Sequence, residues 1–206
     1  MEGTNKTLAA LCDEIISRHS LLDHPFYQAW NNGTLPIEAL RSYAAEYGAF
    51  ISGIGEGWET LGKPEVAKHE AAHATIWNRT FAAALNTEVA EPQIAEVADL
   101  VNTSAQLFSD KAAAIGALYC FEAQQPLTSV SKLKGLEEHY TDLPAASGDY
   151  FRIHSGDYDE VSLLREMMDP SVAGDKVLAA CETMGAALYD ALTGIYEPYA
   201  GVCQHH

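Results

Sequence analysis

The sequence predicts an all-α protein, a compact bundle of seven to eight helices. Apolar residues recur at spacings of three and four from the first segment onward, as in Leu8, Leu11, Cys12 and Ile15. Strand-like alternation of apolar and polar residues is absent. The connections between helical segments are short and no internal repeat is present, so residues 1–206 are predicted to form a single domain.

The first half of the chain contains clear start and stop signals for helices. A turn at residues 31–33 precedes Thr34, which is predicted to cap a helix that has Pro36 in its first turn. A second break ends at Pro64, and the next helix is predicted over about 65–85. These signals predict two long helices joined by a short turn.

The second half continues in the same way. A helix is predicted from near Pro92, Asp110 is predicted to cap the next one, and Pro126 is predicted to kink or restart the chain. The last two helices are predicted at about 148–168 and 171–196. After Pro126 the predicted apolar stripe consists of Val130, Leu133 and Tyr140.

Charge and cysteine content exclude several classes of function. The chain has 12 Lys and Arg against 29 Asp and Glu, a formal net charge of -17, which disfavours nucleic acid and anionic membranes as partners. No apolar run is long enough to span a membrane and no signal peptide is evident, so a soluble, cytoplasmic protein is expected. Four scattered cysteines, Cys12, Cys120, Cys181 and Cys203, predict free thiols without disulfides.

Ionisable residues fall on faces that are predicted to be buried. The inward stripe of the third predicted helix includes Val66, His69, Glu70, His73, Ile76, Trp77, Thr80 and Phe81. Polar groups also fall on the inner faces of two later helices, at Glu122 and at His154 with Asp157. Buried charges persist when they are paired or bind a metal, and helical bundles build metal sites in this way. Mixed oxygen and nitrogen donors suit iron or manganese.

Two other interpretations of these residues remain open. Each His or Glu alone is more commonly tied to a neighbouring side chain than to a metal. The segment 69–73 also reads HEAAH, which matches the HExxH signature of zinc hydrolases. A third zinc ligand is not evident downstream, so the zinc hydrolase ranks below a metal-dependent oxidase.

Several motifs along the chain resemble one family. They are HPFYQAWNNG at 24–33, LRSYAAEY at 40–47, HATIW at 73–77, ALYCFEAQQP at 117–126 and YFRIH at 150–154. Together they resemble the heme-oxygenase-like helical superfamily, which contains the TenA and PqqC proteins, and most closely its CADD-like diiron oxidases. The resemblance implies a heme-oxygenase-like fold and assigns His73, Glu122 and His154 as metal ligands.

The chain departs from the CADD-like ligand pattern at three positions. Val66 stands where a Glu is expected, and Tyr158 and Val161 stand where an Asp and a His are expected. Glu70 and Asp157 are the candidates to replace the missing carboxylates. With these substitutes the resemblance implies two irons held by fewer protein ligands, while manganese, a single metal or complete loss of the metal remains open.

The resemblance also implies a reaction. CADD-like proteins are linked to para-aminobenzoate for folate synthesis, with a tyrosine of the protein as the source of the ring, and this points to Tyr27 and Tyr43. The expected partners are dioxygen, a small aromatic or amino-acid-derived substrate, and a second copy of the chain in a homodimer. One alternative is a metal-free enzyme of the PqqC or TenA type that uses the same His and Glu residues for acid-base chemistry on a heteroaromatic ligand. Cys120 is a poor candidate for the TenA-type nucleophile, because apolar neighbours raise the pKa of a thiol. The other alternative is a non-catalytic interaction protein.

Overall fold

The computed structural model describes residues 6–156, 159–169 and 171–203, and eight helices of nine residues or more form most of this part. In chain order the helices are α1 (Leu8–Arg18), α2 (Pro25–Asn31), α3 (Ile37–Thr60), α4 (Pro64–Ile76), α5 (Ala95–Phe108), α6 (Lys111–Glu122), α7 (Gln125–His139), α8 (Asp149–His154), α9 (Asp159–Met167), α10 (Gly174–Tyr196) and α11 (Ala200–Cys203). A π-helix, Trp77–Ala82, continues α4, and 3-10 turns cover Leu21–Asp23, Ala145–Gly148 and Glu197–Tyr199. The described residues contain no strand, which confirms the all-α prediction.

The predicted start signals are mostly found where the sequence places them. Asp110 caps α6 by accepting hydrogen bonds from two backbone amides of the first turn, and Pro126 lies in the first turn of α7. The prediction that Thr34 caps the next helix is wrong, because α3 begins after Pro36 and not after Thr34. The Thr34 hydroxyl donates instead to the carbonyl of Ala29 at 3.3 Å, so this residue closes the preceding turn.

The buried apolar residues form one core cluster. In it, α10 packs against α5, α6 and α1, while α3 packs against α4 and α5. Helices α6 and α10 approach closely at Gly116, where an added Cβ atom would lie 2.0 Å from the carbonyl oxygen of Val177. A second part of the core is aromatic and includes Trp30, Trp77 and Phe81. This aromatic part lies beside the site described below.

Helix α7 does not present the face that its apolar residues predict. Leu127 and Val130 point to solvent with exposed fractions of 60% and 49%, whereas Lys132 is buried at 3%. The prediction that Val130 belongs to a buried apolar stripe is therefore wrong. The physical reason is that the Lys132 side chain lies over aromatic rings, with its Nζ 4.9 Å from the centre of the Phe151 ring.

The helix predicted over 148–168 is interrupted. Helix α8 ends at His154 and α9 begins at Asp159, so two short helices replace the continuous one. Asp157 and Tyr158 lie outside the described residues.

The cysteines and the search for membrane-spanning segments give two further results. Cys12, Cys120 and Cys181 are buried free thiols, as predicted, while the side chain of Cys203 lies outside the described part. Among the helices that the structure describes, none has the length and apolar character needed to span a membrane.

Candidate metal centre

Three side chains from two helices bring potential metal donors together. One ligand atom each from Glu70, His73 and His154 lies within 4.8 Å of the other two. Glu70 and His73 are one turn apart on α4, with Glu70 Oε1 3.4 Å from His73 Nδ1. His154 comes from the last turn of α8, and its ring centre lies 4.7 Å from that of His73. We call these three residues the three-donor group.

The surroundings of His154 favour the protonation state that a metal ligand needs. His154 Nδ1 lies 2.8 Å from the backbone carbonyl oxygen of Tyr150, so this nitrogen carries the hydrogen and donates it. The lone pair is then on Nε2, which is the arrangement that orients metal-binding histidines in proteins. Burial lowers the pKa of His154, which also favours the neutral ring.

The HExxH interpretation is wrong for this helix. A zinc site of that type needs both His69 and His73 as ligands. The structure exposes His69 and buries Glu70, because the inward face of α4 follows Ala67 and Glu70. The pair that acts together is Glu70 and His73, a Glu-x-x-His spacing. The placement of His69 in the buried stripe is corrected accordingly.

Glu122 lies near this group without being part of it. Its side chain is buried at the end of α6, and it is not among the donors that cluster within 4.8 Å. Burial, followed by the negative charges of Glu70 and Glu122, raises the pKa of Tyr150 well above the usual value. Tyr150 therefore lies close to both carboxylates. Asp157, the remaining predicted ligand, lies outside the described residues.

The two predicted tyrosines form a buried pair. The hydroxyl oxygens of Tyr27 and Tyr43 are 3.2 Å apart, and both side chains are almost fully buried. Burial raises the pKa of both phenols, so they are protonated at neutral pH. Tyr43 also packs edge-on against Trp77, and Trp77 packs edge-on against Tyr150, which stacks beside His154. The tyrosine pair and the three-donor group are thus linked by contacting rings.

Lys132 is the residue that the sequence did not reveal. Its Nζ lies 3.5 Å from the Tyr43 hydroxyl and 5.5 Å from the centre of the Tyr27 ring. No ion pair joins it to a carboxylate in the described part of the chain, and burial lowers its pKa to about 7. The only signal in the sequence is the helical spacing of Gln125, Ser129 and Lys132. Such a polar stripe is ordinarily a solvated face, so the pattern alone does not indicate that Lys132 is buried.

Cys120 does not have the surroundings of a reactive nucleophile. It is fully buried in α6, where its thiol interacts with that of Cys181 on α10. Reactive cysteines are typically partly exposed and lie in electropositive surroundings. The arrangement around Cys120 therefore indicates packing between two helices.

The arrangement defines a helical bundle with a two-histidine, one-carboxylate group in which Glu70 and His154 are buried and His73 is partly buried. Comparison with known structures gives the fold a name. No family model matches the chain. A protein domain of unknown function from Shewanella denitrificans, described as having a heme oxygenase-like fold, superposes with a TM-score of 0.73 at 16% identity and covers 94% of this chain and 90% of its own. The chain therefore has a heme oxygenase-like fold.

Two further similarities are to a structure described as CADD-like and to a protein named as a synthase. A CADD-like protein of unknown function from Nostoc punctiforme superposes with a TM-score of 0.67 at 14% identity, covering 94% of this chain and 96% of that one. A protein named 4-aminobenzoate synthase from Nitrosomonas europaea is 28% identical over 93% of this chain and 93% of its own length. The resemblance to the heme-oxygenase-like superfamily and to its CADD-like proteins is confirmed.

Proposed function

We propose that this protein is an iron-dependent oxidase that forms 4-aminobenzoate, or a closely related ring compound, from one of its own tyrosines. The observation that carries the proposal is the closeness of three features in one region of the core, where the rings of Trp77 and Tyr150 link them. These features are the three-donor group, the pair Tyr27 and Tyr43, and the Lys132 amine. The name of the Nitrosomonas europaea relative supports the choice of product.

The donors fit a non-heme metal. Two imidazoles and one carboxylate suit iron, and the same donors accept manganese. The hydrogen bond from His154 Nδ1 to the Tyr150 carbonyl holds the ring with Nε2 available, and Glu70 supplies the negative charge. When bound, reduced iron supplies the electrons that activate dioxygen. The enclosing aromatic side chains exclude water from this region.

The chain's own residues can supply the carbon and nitrogen atoms of the product, while dioxygen is the oxidant and, with water, the source of the carboxylate oxygens. The tyrosine Cα–Cβ bond must break, and Cβ must be oxidised to the carboxylate carbon. A tyrosine ring carries a hydroxyl at the position where 4-aminobenzoate carries nitrogen, so a C–N bond must form at that carbon while its C–O bond breaks and the oxygen leaves as water. If a lysine is the donor, its Cε–Nζ bond must also break, with Cε oxidised by dioxygen to an aldehyde. Lys132 brings a primary amine to 3.5 Å from the Tyr43 hydroxyl. A pKa of about 7 leaves a large share of this amine uncharged at neutral pH, and only the uncharged form is a nucleophile or a proton acceptor.

The proposal is tested by isotope labelling. Protein produced with ring-labelled tyrosine and side-chain-nitrogen-labelled lysine is loaded anaerobically with ferrous iron and then exposed to oxygen. Small molecules are analysed by mass spectrometry. We expect 4-aminobenzoate with both labels, and we expect its loss in Tyr27→Phe or Tyr43→Phe, whichever supplies the ring, but not in the control Tyr199→Phe.

Two outcomes would contradict the proposal. Unlabelled product that appears only after a small aromatic compound is added would mean that the substrate is external. Iron-loaded protein that forms no ring compound in oxygen would refute the assignment of this reaction.

A further inference from the structure

We propose that the centre holds one metal ion per chain, bound by Glu70, His73 and His154, and not a pair of ions. This inference rests on the metal centre of the proposed function and concerns how many ions that centre takes. It is carried by the donors that each helix around the site presents, and by those that it lacks.

Two-metal sites in helical bundles have a recognisable set of donors. They use a Glu from each of two helices and a Glu-x-x-His motif from each of two others. Helix α4 has one such motif in Glu70 and His73. In α8 the residue three positions before His154 is Phe151, which is fully buried and packs against Trp77 and Phe81. The described part of α8 therefore offers His154 as a donor and has no carboxylate at the Glu-x-x-His spacing.

Within the described residues of α3 and α9, no buried carboxylate takes the place of this second motif. Helix α3, which is described throughout, buries Tyr43 and Tyr47 toward the site and buries no carboxylate. On α9, Val161 lines a separate surface cavity of about 360 Å³ together with Leu127 and Arg165. Glu122 of α6 is then the one further buried carboxylate near the three-donor group in the described residues.

The number of negative charges near the site also indicates a single metal ion. Two divalent ions bring four positive charges, and the carboxylates of a two-metal template balance them. Among the described residues, Glu70 and Glu122 provide two negative charges near the site, enough for a single divalent ion. The two histidines and one carboxylate of the three-donor group already match the ligand set of mononuclear non-heme iron enzymes, which leaves open coordination positions.

The number of ions can be measured directly. Full-length protein carrying His205→Ala and His206→Ala, so that the terminal histidines bind no extra ion, is stripped of metal and loaded anaerobically with excess ferrous iron. After desalting, iron is counted by mass spectrometry. A parallel sample is loaded with Mn(II) and examined by electron paramagnetic resonance. We expect one ion per chain and the spectrum of an isolated Mn(II) ion.

The other outcomes are distinguishable. Two ions per chain with the spectrum of a coupled pair would overturn the inference and leave the proposed function standing. No bound metal would overturn both.

Matched variants locate the bound ion. Glu70→Gln should weaken binding by more than the roughly 10–100-fold that loss of an outer partner of a metal ligand costs. Glu65→Gln and His69→Ala change exposed residues on the same helix and should leave the count at one. Loss of the ion in His69→Ala would instead favour the HExxH arrangement and would overturn the inference.

Discussion

Replacing Lys132 by methionine should stabilise the folded protein at neutral and acidic pH. Methionine has nearly the same length and flexibility but no charge, so it can lie over the same aromatic rings without placing an ammonium group in the core. Lys132 is buried, and burial lowers its pKa from 10.5 to about 7. The folded state therefore disfavours the charged form that the unfolded chain retains.

The magnitude follows from this difference. Below pH 7 both states are charged, and the interval from 10.5 to about 7 corresponds to about 5 kcal/mol of lost stability. The Lys132 ammonium group also contacts the rings of Phe151, Tyr27 and Tyr43. These contacts offset the loss of stability by up to about 2 kcal/mol. Lys132→Met should therefore be more stable than the wild type by about 3–5 kcal/mol at pH 6.

The sign of the pH dependence is fixed by which state binds the proton. Between about pH 7 and 10.5 the unfolded chain keeps the lysine proton while the folded protein has lost it, so wild-type stability rises with pH. The advantage of Lys132→Met should shrink over this window by up to about 1.4 kcal/mol per pH unit.

The assay is urea unfolding at several pH values between 6 and 9, for the wild type and for Lys132→Met. Other titrating groups cancel in the difference between the two proteins. Lys134→Met is the matched control, because Lys134 is exposed on the same helix and its pair with Glu138 is at the surface. That variant should change stability little at any pH. An advantage of Lys132→Met that is absent at pH 6, or constant from pH 6 to 9, would refute the reasoning.

Two further predictions concern helix packing and helix capping. Gly116→Ala should destabilise the protein by about 3 kcal/mol or more, because its Cβ would collide with the Val177 carbonyl. The control Gly53→Ala meets no atom within 4 Å and should stabilise α3 by about 0.5–1 kcal/mol. Both changes are measured by chemical denaturation. Asp110→Ala should lower the melting temperature near neutral pH, because Asp110 caps α6 and pairs with Lys176. The hydrogen bond from Lys176 and those from the first-turn amides lower the pKa of Asp110, so its contribution is present above the usual carboxyl pKa and is lost as pH falls through the lowered value. The melting temperatures of the two proteins should therefore converge at strongly acidic pH, and a constant difference would contradict this explanation.

Much of the helical order is predictable because it rests on local signals. The Asp110 cap, the Pro126 restart and the apolar periodicity act within one or two turns of the chain, so the sequence reports them directly. The same kind of signal predicts inward-facing positions for Glu70, His73 and His154, because a polar residue within an apolar period stands out, and the structure brings these three side chains together.

The rotation of α7 and the break between α8 and α9 depend on tertiary packing. Single-chain periodicity assigns Val130 to the core because it is apolar and Lys132 to solvent because it is charged, and the structure reverses both. The position of Lys132 is set by rings contributed from α2, α3 and α8, which lie far away in sequence. A pattern within one helix cannot contain that information.

The reversal in α7 is itself an argument about function. An amphipathic helix with Val130 inward and Lys132 outward would bury apolar surface and avoid the cost of a buried amine. The fold instead exposes Leu127 and Val130 and retains a lysine without a carboxylate partner in the described residues, beside two buried phenols. Strained or costly groups of this kind concentrate at active sites, where lowered stability accompanies activity. If Lys132→Met is more stable than the wild type but forms no labelled product, then the buried amine that lowers stability is the same group that the proposed reaction requires.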